Sequence, residues 1–446
     1  MESLYNTTSN HAQLVLEYIG GYGNGLVIFP TVLAAAVVLI ILRHNDTAAS
    51  SFPIANPKKW FELSTSRSVL DFALAGREVL LSAREKFGPK PFRIHTDMGT
   101  FIMLRPEHGE EVRNDPCFSV DAPAIEGHPT KPKLRRRSLK NVLRSLAHQS
   151  VTQMWKSVVL GDEIKRVISK MSARIFVGPN LSNNERWLEL VVNYGNNSIE
   201  GVRRLRLWPR VLKSLAVHLI PKCRNLQAQV KEAWDFLMLA VVAMGTTVDL
   251  ITQALVDTLR HPELIQPLRE EAVAAISDGG WKKTLLYNMK LLDSVLNESQ
   301  RLKPNQISSM FRQALVDVTL SDGMKIPKGH QVVVSTDRMR DPSIYENPEV
   351  FDGYRFIRMR EEGQEAANQL VTTSINHLGF GHGEHGCPGR FFAANEAKIV
   401  ISQLLLKYDM RLESDAEPVL LRFGFAEEAD PNLKVLVKRR EEEIAL

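Results

Sequence analysis

A glycine-rich loop that leads into a helical pattern constrains the fold of this chain most strongly. It covers residues 380–393 with the sequence FGHGEHGCPGRFFA, in which the one cysteine is Cys387. Gly381, Gly383 and Gly386 permit positive φ angles and a close approach of the backbone to a flat, bulky partner. Beyond the cysteine, apolar residues recur at helical spacing. The loop is therefore predicted to present Cys387 to a large ligand at the start of a helix.

The position of Cys387 favours its thiolate form. Free backbone N–H groups and the positive end of the dipole meet at a helix N-terminus, and both stabilise an anion there. A thiolate in this setting is suited to bind iron. The only other cysteines are Cys117 and Cys223, so no disulfide framework is implied and the main body is expected in a reducing compartment.

The basic residues of the chain are unevenly spread. A formal charge of +5 over 446 residues is too mild to argue for nucleic acid. Residues 131–140, with the sequence KPKLRRRSLK, nevertheless carry six basic side chains. A nuclear signal is one interpretation of this run, and a docking face for an acidic partner is the other.

An apolar segment near the N-terminus predicts a membrane anchor. Residues 26–42 contain no charged residue, and the uncharged stretch extends back to Tyr18, which is long enough to span a bilayer. Arg43, Lys58 and Lys59 follow it and favour a cytoplasmic location for the rest of the chain. A cleaved signal peptide is the competing interpretation, but a basic leading region is lacking.

These features predict four regions. Residues 1–25 form a lumenal N-terminus, 26–42 the transmembrane anchor, 43–67 a linker and 68–446 the catalytic domain. Asn6 begins an Asn-Thr-Thr sequon, which would be glycosylated in the lumen.

Hydrophobic periodicity predicts a mainly α fold with a smaller β region. Helices are expected at 68–87, over most of 139–275 and at 281–302, and strands at 92–104, 316–320, 331–335 and within 410–438. The helix over residues 233–260 contains Gly245-Thr246-Thr247. It is either a continuous buried helix that tolerates a glycine, or a helix that opens locally toward a ligand.

Several weak motifs follow one another in a specific order. An apolar anchor, the Gly-Thr-Thr helix, Glu298-x-x-Arg301, the segment Tyr354-Arg355-Phe356 and the cysteine loop occur in series. This order resembles the cytochrome P450 family of haem-thiolate monooxygenases over nearly the whole chain. The residues 56–63, 113–116, 261–271 and 387–393 resemble in particular the membrane-bound fungal enzymes that oxidise terpenoids and indole diterpenes.

The resemblance implies a role for each residue around the cofactor. Cys387 would be the axial ligand of haem iron, whose electron donation favours O–O cleavage. Phe380 would pack on the proximal face of the haem, and His385 and Arg312 would be hydrogen-bond donors to its propionates. Thr246 would be the oxygen-activating threonine.

Three further residues would brace the cysteine loop. Glu298, Arg301 and Arg355 match the buried ion network of the family. Spacing alone allows a simpler interpretation for the first two, because Glu and Arg three residues apart on a helix often form a surface pair.

The chain departs from the family pattern at two places. Gly245 stands where relatives have an acidic residue or histidine before the threonine, so a side chain that could assist proton delivery is missing. The chain is also about fifty residues shorter than expected for the family, with the shortfall predicted between residues 227 and 234 and compression over 117–139.

The resemblance implies a haem b enzyme that takes electrons from NADPH through cytochrome P450 reductase. The expected location is the endoplasmic reticulum membrane, with one span, lipid contact and a cytoplasmic catalytic domain. The substrate would be a small hydrophobic molecule, with no nucleic acid involved; lining candidates are residues 240–247, 307–310 and 423–425.

Two alternatives remain open at this stage. The chain could be a haem protein of the same fold that performs no monooxygenation, because of Gly245 and the shortening. It could also bind zinc without haem, since His382, His385 and Cys387 have ligand-like spacing.

Overall fold

The structure is a computed structural model, and part of the chain can be described from it. The described residues are 52–62, 64–120, 154–176, 185–208, 213–277, 283–415 and 418–441. The predicted anchor at 26–42, the sequon at Asn6 and the basic run at 131–140 lie outside them. Within the described residues, no helix combines the length and apolar character needed to cross a membrane.

The chain divides into two compact units. One comprises residues 1–50 and 59–64, and the other comprises residues 51–58 and 65–446. In the first unit the described residues form a short turn, in which the Lys59 N–H donates to the Glu62 carboxylate over 2.9 Å. Trp60 is almost fully exposed there. All the helices and strands described below belong to the second unit.

Helices are the commonest regular element among the described residues of the second unit. They are α1 Ser66–Phe87, α2 Gly109–Val112, α3 Leu160–Phe176, α4 Glu185–Arg206, α5 Lys213–Leu219, α6 Pro221–Arg260, α7 Ile265–Ser277, α8 Lys283–Asn288, α9 Lys290–Leu302, α10 Arg355–Met359 and α11 Arg390–Lys407. Short 3-10 turns at Pro106–His108, Pro262–Leu264 and Asp337–Arg340 and a π-helical turn at Arg360–Gln364 connect them.

The strands form four small sheets. They are β1 Phe92–Thr96, β2 Gly99–Leu104, β3 Phe118–Ser119, β4 Lys156–Val159, β5 Ser308–Ala314, β6 Val318–Thr319, β7 Lys325–Ile326, β8 Gln331–Ser335, β9 Tyr408–Leu412, β10 Leu420–Phe423, β11 Ala426–Ala429 and β12 Lys434–Arg439. The main sheet has the order β1-β2-β8-β5-β3, and the others are β4-β12-β9, β10-β11 and β6-β7. In the main sheet β2 and β8 are parallel, and the other pairs are antiparallel.

Alternating side chains let the main sheet bury both of its faces. In β2, Ile102 and Leu104 pack into one hydrophobic cluster, whereas Phe101 and Met103 pack into another. Successive residues of a strand point to opposite faces, so a strand with apolar residues at every position is buried on both sides. The sheet thereby joins two parts of the core.

The long helix α6 passes through the third and largest part of the core. It spans 40 residues, begins with Pro221 at its first turn, where a missing N–H costs nothing, and ends before His261-Pro262. Between its ends it is one unbroken α-helix. The local opening predicted as one interpretation at Gly245-Thr246-Thr247 is therefore not present, and the interpretation of a continuous helix is the one observed.

Helix α6 also crosses the predicted site of the shortening. Residues 227–234 lie within it, where the missing helices and loop were expected. The chain thus proceeds without a connecting loop from Pro221 into the helix that carries Thr246.

Strands β3, β4, β5 and β7 were missed in the sequence, and β5 and β4 show two different reasons. In β5 the buried face consists of Ser308, Met310, Arg312 and Ala314, so polar and charged residues occupy core positions and hide the alternation. Strand β4 lies within a region predicted to be helical. It has four residues and pairs with β12, which is far away in sequence, and local periodicity does not report such a pairing.

Candidate functional site

Backbone hydrogen bonds close the cysteine loop into a tight turn. The Cys387 N–H donates to the Phe380 carbonyl over 2.7 Å, and the Gly386 N–H donates to the Gly383 carbonyl over 3.0 Å. Gly381 and Gly383 have φ angles of 70° and 80°, which side chains disfavour. The prediction of a positive φ at Gly386 is wrong; a Cβ there would instead lie 3.2 Å from the Gly383 carbonyl oxygen.

The cysteine lies just before α11. Gly389 is the N-cap and Arg390 the first residue of the helix. A Cβ on Gly389 would lie 3.9 Å from the Cys387 sulfur, so glycine leaves the surroundings of the sulfur open. The Arg390 guanidinium donates to the Cys387 carbonyl over 2.9 Å and to the Val371 carbonyl over 3.0 Å, which ties the loop to the preceding segment.

The middle of α6 shares a hydrophobic cluster with the cysteine loop. Met244 is buried in this cluster, and Phe380 packs against it. The next two residues of α6, Gly245 and Thr246, are exposed, whereas Thr247 is buried. Thr246 therefore borders open space on the helix that packs against α11.

The two residues predicted to bind the haem propionates differ in burial. Arg312 is 3% exposed, and its guanidinium donates to the Phe311 carbonyl over 2.9 Å. Burial lowers the pKa of this guanidinium, and in the described part of the chain no carboxylate pairs with it. His385 is exposed. Among the described residues, Arg312 is thus a buried cation without a carboxylate partner, whereas His385 lies at the surface.

The three residues predicted to brace the loop form one buried network. Arg301 donates to both carboxylate oxygens of Glu298 over 2.8 Å, and Arg355 donates to one of them over 3.0 Å. The side chains of Glu298 and Arg301 are fully buried. The simpler interpretation of a surface pair therefore does not apply to this geometry.

The same two arginines bind the loop that leads toward the cysteine. Arg301 donates to the carbonyls of Met339 and Pro348 over 2.6 and 2.8 Å. Arg355 donates to the Val350 carbonyl over 3.1 Å. The network thus fixes the backbone of residues 339–350 against α9, and each arginine neutralises part of one carboxylate.

A second buried network was missed in the sequence. Lys398 of α11 lies 2.7 Å from the Asp293 carboxylate of α9, and Arg360 also pairs with it. Burial alone would raise the pKa of Asp293, but the charges of Lys398 and Arg360 lower it overall. Lys398 lies in α11, the helix that follows Cys387. This network therefore fixes α11 against α9. The three residues are distant in sequence, so no spacing signal could have indicated it.

Aromatic rings meet where two of the predicted lining segments come together. The Ile307 N–H donates to the Phe425 carbonyl over 2.9 Å. The Phe425 ring centroid lies 4.8 Å from that of Phe72, 5.2 Å from that of Phe311 and 5.9 Å from that of Phe101. Edge-to-face packing of this kind favours a rigid apolar wall. Phe72, Phe101 and Phe311 were not among the predicted lining residues.

The hairpin that carries Phe425 is also tied to α6. Asp249 accepts a hydrogen bond from the Ala429 N–H over 2.7 Å and one from the Gln253 side chain over 3.0 Å. Burial raises the pKa of Asp249 to about 6. The hairpin β10–β11 and the helix of Thr246 are therefore held together three residues from that threonine.

The end of α2 contacts the cysteine loop directly. The Asn114 side-chain oxygen accepts a hydrogen bond from the Glu384 N–H over 2.7 Å. His382 Nε2 lies 3.0 Å from a carboxylate oxygen of Glu110 and 3.0 Å from the Arg113 guanidinium. The sequence Arg113-Asn114-Asp115-Pro116 has a turn composition, but no role at the site was predicted from it.

The predicted zinc alternative finds no support in this arrangement. His382 is engaged by Glu110 and Arg113, and His385 is exposed. Within the described ranges, no cluster of three His, Cys, Asp or Glu side chains has the geometry to hold a metal ion.

A cavity of about 410 Å³ lies elsewhere, between the Pro262–Leu264 turn and residues 346–358. Its lining includes Arg355 and Phe351 but no residue of the cysteine loop. We therefore place the candidate site by its chemistry, at Cys387, and not by cavity size.

Known proteins are similar to this chain over most of its length. A sequence profile of the cytochrome P450 family matches residues 227–433. The chain is 37% identical to cytochrome P450 monooxygenase TRI1 of Fusarium sporotrichioides, covering 87% of this chain and 85% of the relative. It is 35% identical to esdpI of Penicillium shearii, over 95% and 97% of the two chains. It is 34% identical to hepE of Aspergillus oryzae, over 92% and 90%.

A solved structure matches the fold at low sequence identity. The cyanobacterial CYP120A1 bound to retinoic acid aligns with a TM-score of 0.62 at 17% identity, covering 88% of this chain and 99% of that one. The alignment with the Penicillium shearii relative runs over 503 positions, more than the 446 residues of this chain, so that relative has segments that this chain lacks. With matches of this extent in sequence and fold, the chain belongs to the cytochrome P450 family, and its homologues are fungal monooxygenases of secondary metabolism.

Proposed function

We propose that this chain uses haem, ligated by Cys387, to oxidise a small apolar molecule of fungal secondary metabolism, a terpenoid-derived intermediate. The observation that carries the proposal is the closed turn that holds Cys387 just before α11, with its N–H bonded to the Phe380 carbonyl. The buried charge of Arg312 and the glycines around Cys387 agree with the proposal, as described next.

The residues present fit a haem group. Arg312 is a buried guanidinium without a carboxylate partner among the described residues, and a propionate would supply that partner. A flat macrocycle needs an unobstructed thiolate, and the glycines around Cys387 provide one. Arg312 and Cys387 would hold the haem, with Phe380 against its proximal face. His385, being exposed, would have to reach a propionate at the edge of the site.

When bound, haem with a thiolate ligand supplies the chemistry that activates O₂ and inserts one oxygen atom into a substrate. The residues of the chain would position the groups that take part in this reaction. Helix α11 begins at Arg390, three residues after Cys387. Thr246 borders open space on α6, and its hydroxyl would hold a proton or water near the oxygen.

The proposed substrate class follows from the apolar residues of the predicted lining segments. Ile307 and Phe425 belong to a buried cluster with Phe101, and Phe311 packs against that cluster. Lining segments with this apolar character would favour a rigid hydrocarbon skeleton over a polar one, because burial of apolar area drives binding.

Electron supply and location are part of the same proposal. We infer that NADPH provides electrons through cytochrome P450 reductase. The uncharged stretch at residues 26–42 would anchor the enzyme in the endoplasmic reticulum membrane, with residues 68–446 in the cytoplasm and Asn6 in the lumen.

A second candidate is a haem protein of this fold that turns over little substrate. The unbroken helix through Gly245 favours it, because neither a local opening nor an acidic side chain is present next to Thr246 to deliver protons. In that case the haem would bind normally and electrons would be lost without product.

Coupled turnover distinguishes the two candidates. The protein would be expressed with a reductase and supplied with NADPH and a panel of terpenoid skeletons. The proposal expects oxygenated product in proportion to NADPH consumed, and none with Cys387→Ser. NADPH consumption without product from any skeleton would favour the second candidate.

A further inference from the structure

We propose that the segment from α2 to β3, residues 109–119, positions the cysteine loop relative to Arg312, with Asn114 and His382 as positioning residues. The inference rests on the proposed haem function. It concerns how the cysteine loop and the strand that carries Arg312 are held at a fixed position relative to each other.

The first connection joins this segment to the loop of Cys387. Asn114 accepts from the Glu384 N–H over 2.7 Å, and Glu384 follows Gly383, whose carbonyl accepts from the Gly386 N–H. Cys387 is the next residue. Only residues 384–386, which lie in this hydrogen-bonded turn, connect the Asn114 contact to Cys387. A displacement of Asn114 would therefore move the Cys387 sulfur.

Close packing at Gly383 makes this connection stiff. A Cβ on Gly383 would lie 2.4 Å from the Asn114 side-chain oxygen and 2.8 Å from the Arg113 Cβ. Only glycine permits this approach, and its φ of 80° independently favours glycine. The loop and the segment thus touch without an intervening side chain.

A charged cluster reinforces the contact from the other side. His382 is buried and lies 3.0 Å from both the Glu110 carboxylate and the Arg113 guanidinium. Arg113 also pairs with Glu110 over 3.0 Å. Because an arginine only donates and a carboxylate only accepts, the imidazole nitrogen satisfies one partner in each tautomer.

The second connection joins the same segment to the strand of Arg312. Phe118 and Ser119 of β3 pair with Ala314 and Gln313 of β5. The Leu315 N–H donates to the Cys117 carbonyl over 2.7 Å. Arg312 lies one residue before this pairing, so residues 109–119 contact both the loop that carries the thiolate and the strand that carries the buried cation.

The positioning role predicts a specific instability of the thiolate bond. The test uses the full-length haem protein and follows the ferrous carbon monoxide complex, whose Soret band is strongly red-shifted only with a thiolate ligand. Asn114→Ala should accelerate the decay of this band by roughly two- to tenfold, the ratio that corresponds to one net hydrogen bond. Asn114→Asp, which keeps the acceptor oxygen, should decay like wild type.

A matched control removes a similar bond elsewhere. Asp317 accepts from the Lys328 N–H over 2.7 Å at an exposed position, and Asp317→Ala should leave the decay rate unchanged. Equal rates for Asn114→Ala and Asp317→Ala, or equal acceleration in Asn114→Ala and Asn114→Asp, would overturn the positioning role.

The experiment also distinguishes two further outcomes. If wild type itself gives no thiolate-type band, the proposed haem function fails and not the positioning role alone. If Asn114→Ala yields no folded protein, Arg113→Met replaces it, since this variant removes the contacts to His382 and Glu110. The same acceleration is expected from it, and its absence would contradict the inference.

Discussion

Arg312 shows how a single side chain can be costly in the free protein and useful in the complex. A buried guanidinium without an anion carries a desolvation penalty, and burial lowers its pKa accordingly. A bound carboxylate removes that penalty. If Arg312 holds a haem propionate as proposed, the cost of its having no carboxylate partner among the described residues would be converted into affinity for that ligand.

This view predicts opposite effects of one substitution. Arg312→Leu should raise the stability of the haem-free protein by about 1–3 kcal/mol, the desolvation penalty of a buried polar group whose charge is not compensated, and should weaken haem retention. Thermal unfolding of the haem-free form and haem transfer to an acceptor protein measure the two. A loss of stability in the haem-free form would show that Arg312 has a protein anion as partner.

Glu396 gives the protein a pH dependence that is independent of the cofactor. Its carboxyl group is 2% exposed, and it accepts from the Ser172 hydroxyl over 3.4 Å. Its second oxygen has no hydrogen-bond partner among the described residues. Burial raises its pKa from 4.5 to about 8, so the group is neutral in the folded protein at pH 7.

The sign of the effect follows from proton binding. Between pH 4.5 and about 8 the folded state keeps a proton that the unfolded state has released, so stability falls as pH rises, by about 1.4 kcal/mol per pH unit. Glu396→Gln should remove this slope, and its gain in Tm over wild type should grow from pH 5 to pH 8. A gain that stays constant with pH would contradict the assignment.

At this scale the sequence predicted the pairing of residues better than their burial. The glycine-rich surroundings pointed to Cys387 as the proposed ligand, and the order of motifs pointed to Glu298 and Arg301, which the structure shows as a pair. His385 and Arg312 were ranked together because both are basic, and only the fold shows that one is exposed and the other buried. Burial depends on what packs against a residue, which a local pattern does not contain.

At the level of elements, α9 and the segment of residues 339–355 act as one unit. Glu298 and Arg301 come from the helix, and Arg355 begins α10. Their hydrogen bonds to three backbone carbonyls replace the regular secondary structure that this segment lacks.

Breaking the network should therefore unfold more than a side chain. Glu298→Gln leaves two buried arginines without their counter-charge and is expected to cost roughly 3–5 kcal/mol, with loss of haem. Chemical denaturation measures the cost. The control is Glu263→Gln, at an exposed residue that pairs with His261, where less than 1 kcal/mol is expected; similar losses in both variants would argue against a special role for Glu298.

Helices and strands could be predicted from sequence where their apolar residues follow a clear local period. The hairpin β1–β2 and helix α1 follow the expected boundaries closely, because their apolar periodicity is clear. Strand β5 was missed because its buried face carries Ser308 and Arg312, so polar residues break the usual alternation. Residues 227–234 lie in a region predicted to be helical, but the sequence did not show that one continuous helix runs through them.

At the level of the whole molecule, the proposed haem site would combine a proximal side built around Cys387 with a distal side, around Thr246, that departs from the family pattern. The loop of Cys387, its bonds to α2 and the two buried networks are all present. On the distal side, α6 continues without interruption through Gly245, and relatives align over more positions than this chain has residues. The proximal half therefore predicts haem binding, and the distal half determines how well oxygen chemistry follows.

The central claim is that Cys387 ligates haem iron as a thiolate. The measurement that tests it most directly is the absorption spectrum of the ferrous carbon monoxide complex of the purified wild-type protein, beside that of Cys387→Ser. We predict the red-shifted Soret band of a thiolate-ligated haem for wild type and its absence for the variant. Stoichiometric haem with no such band in wild type, or the same band in both proteins, would contradict the claim.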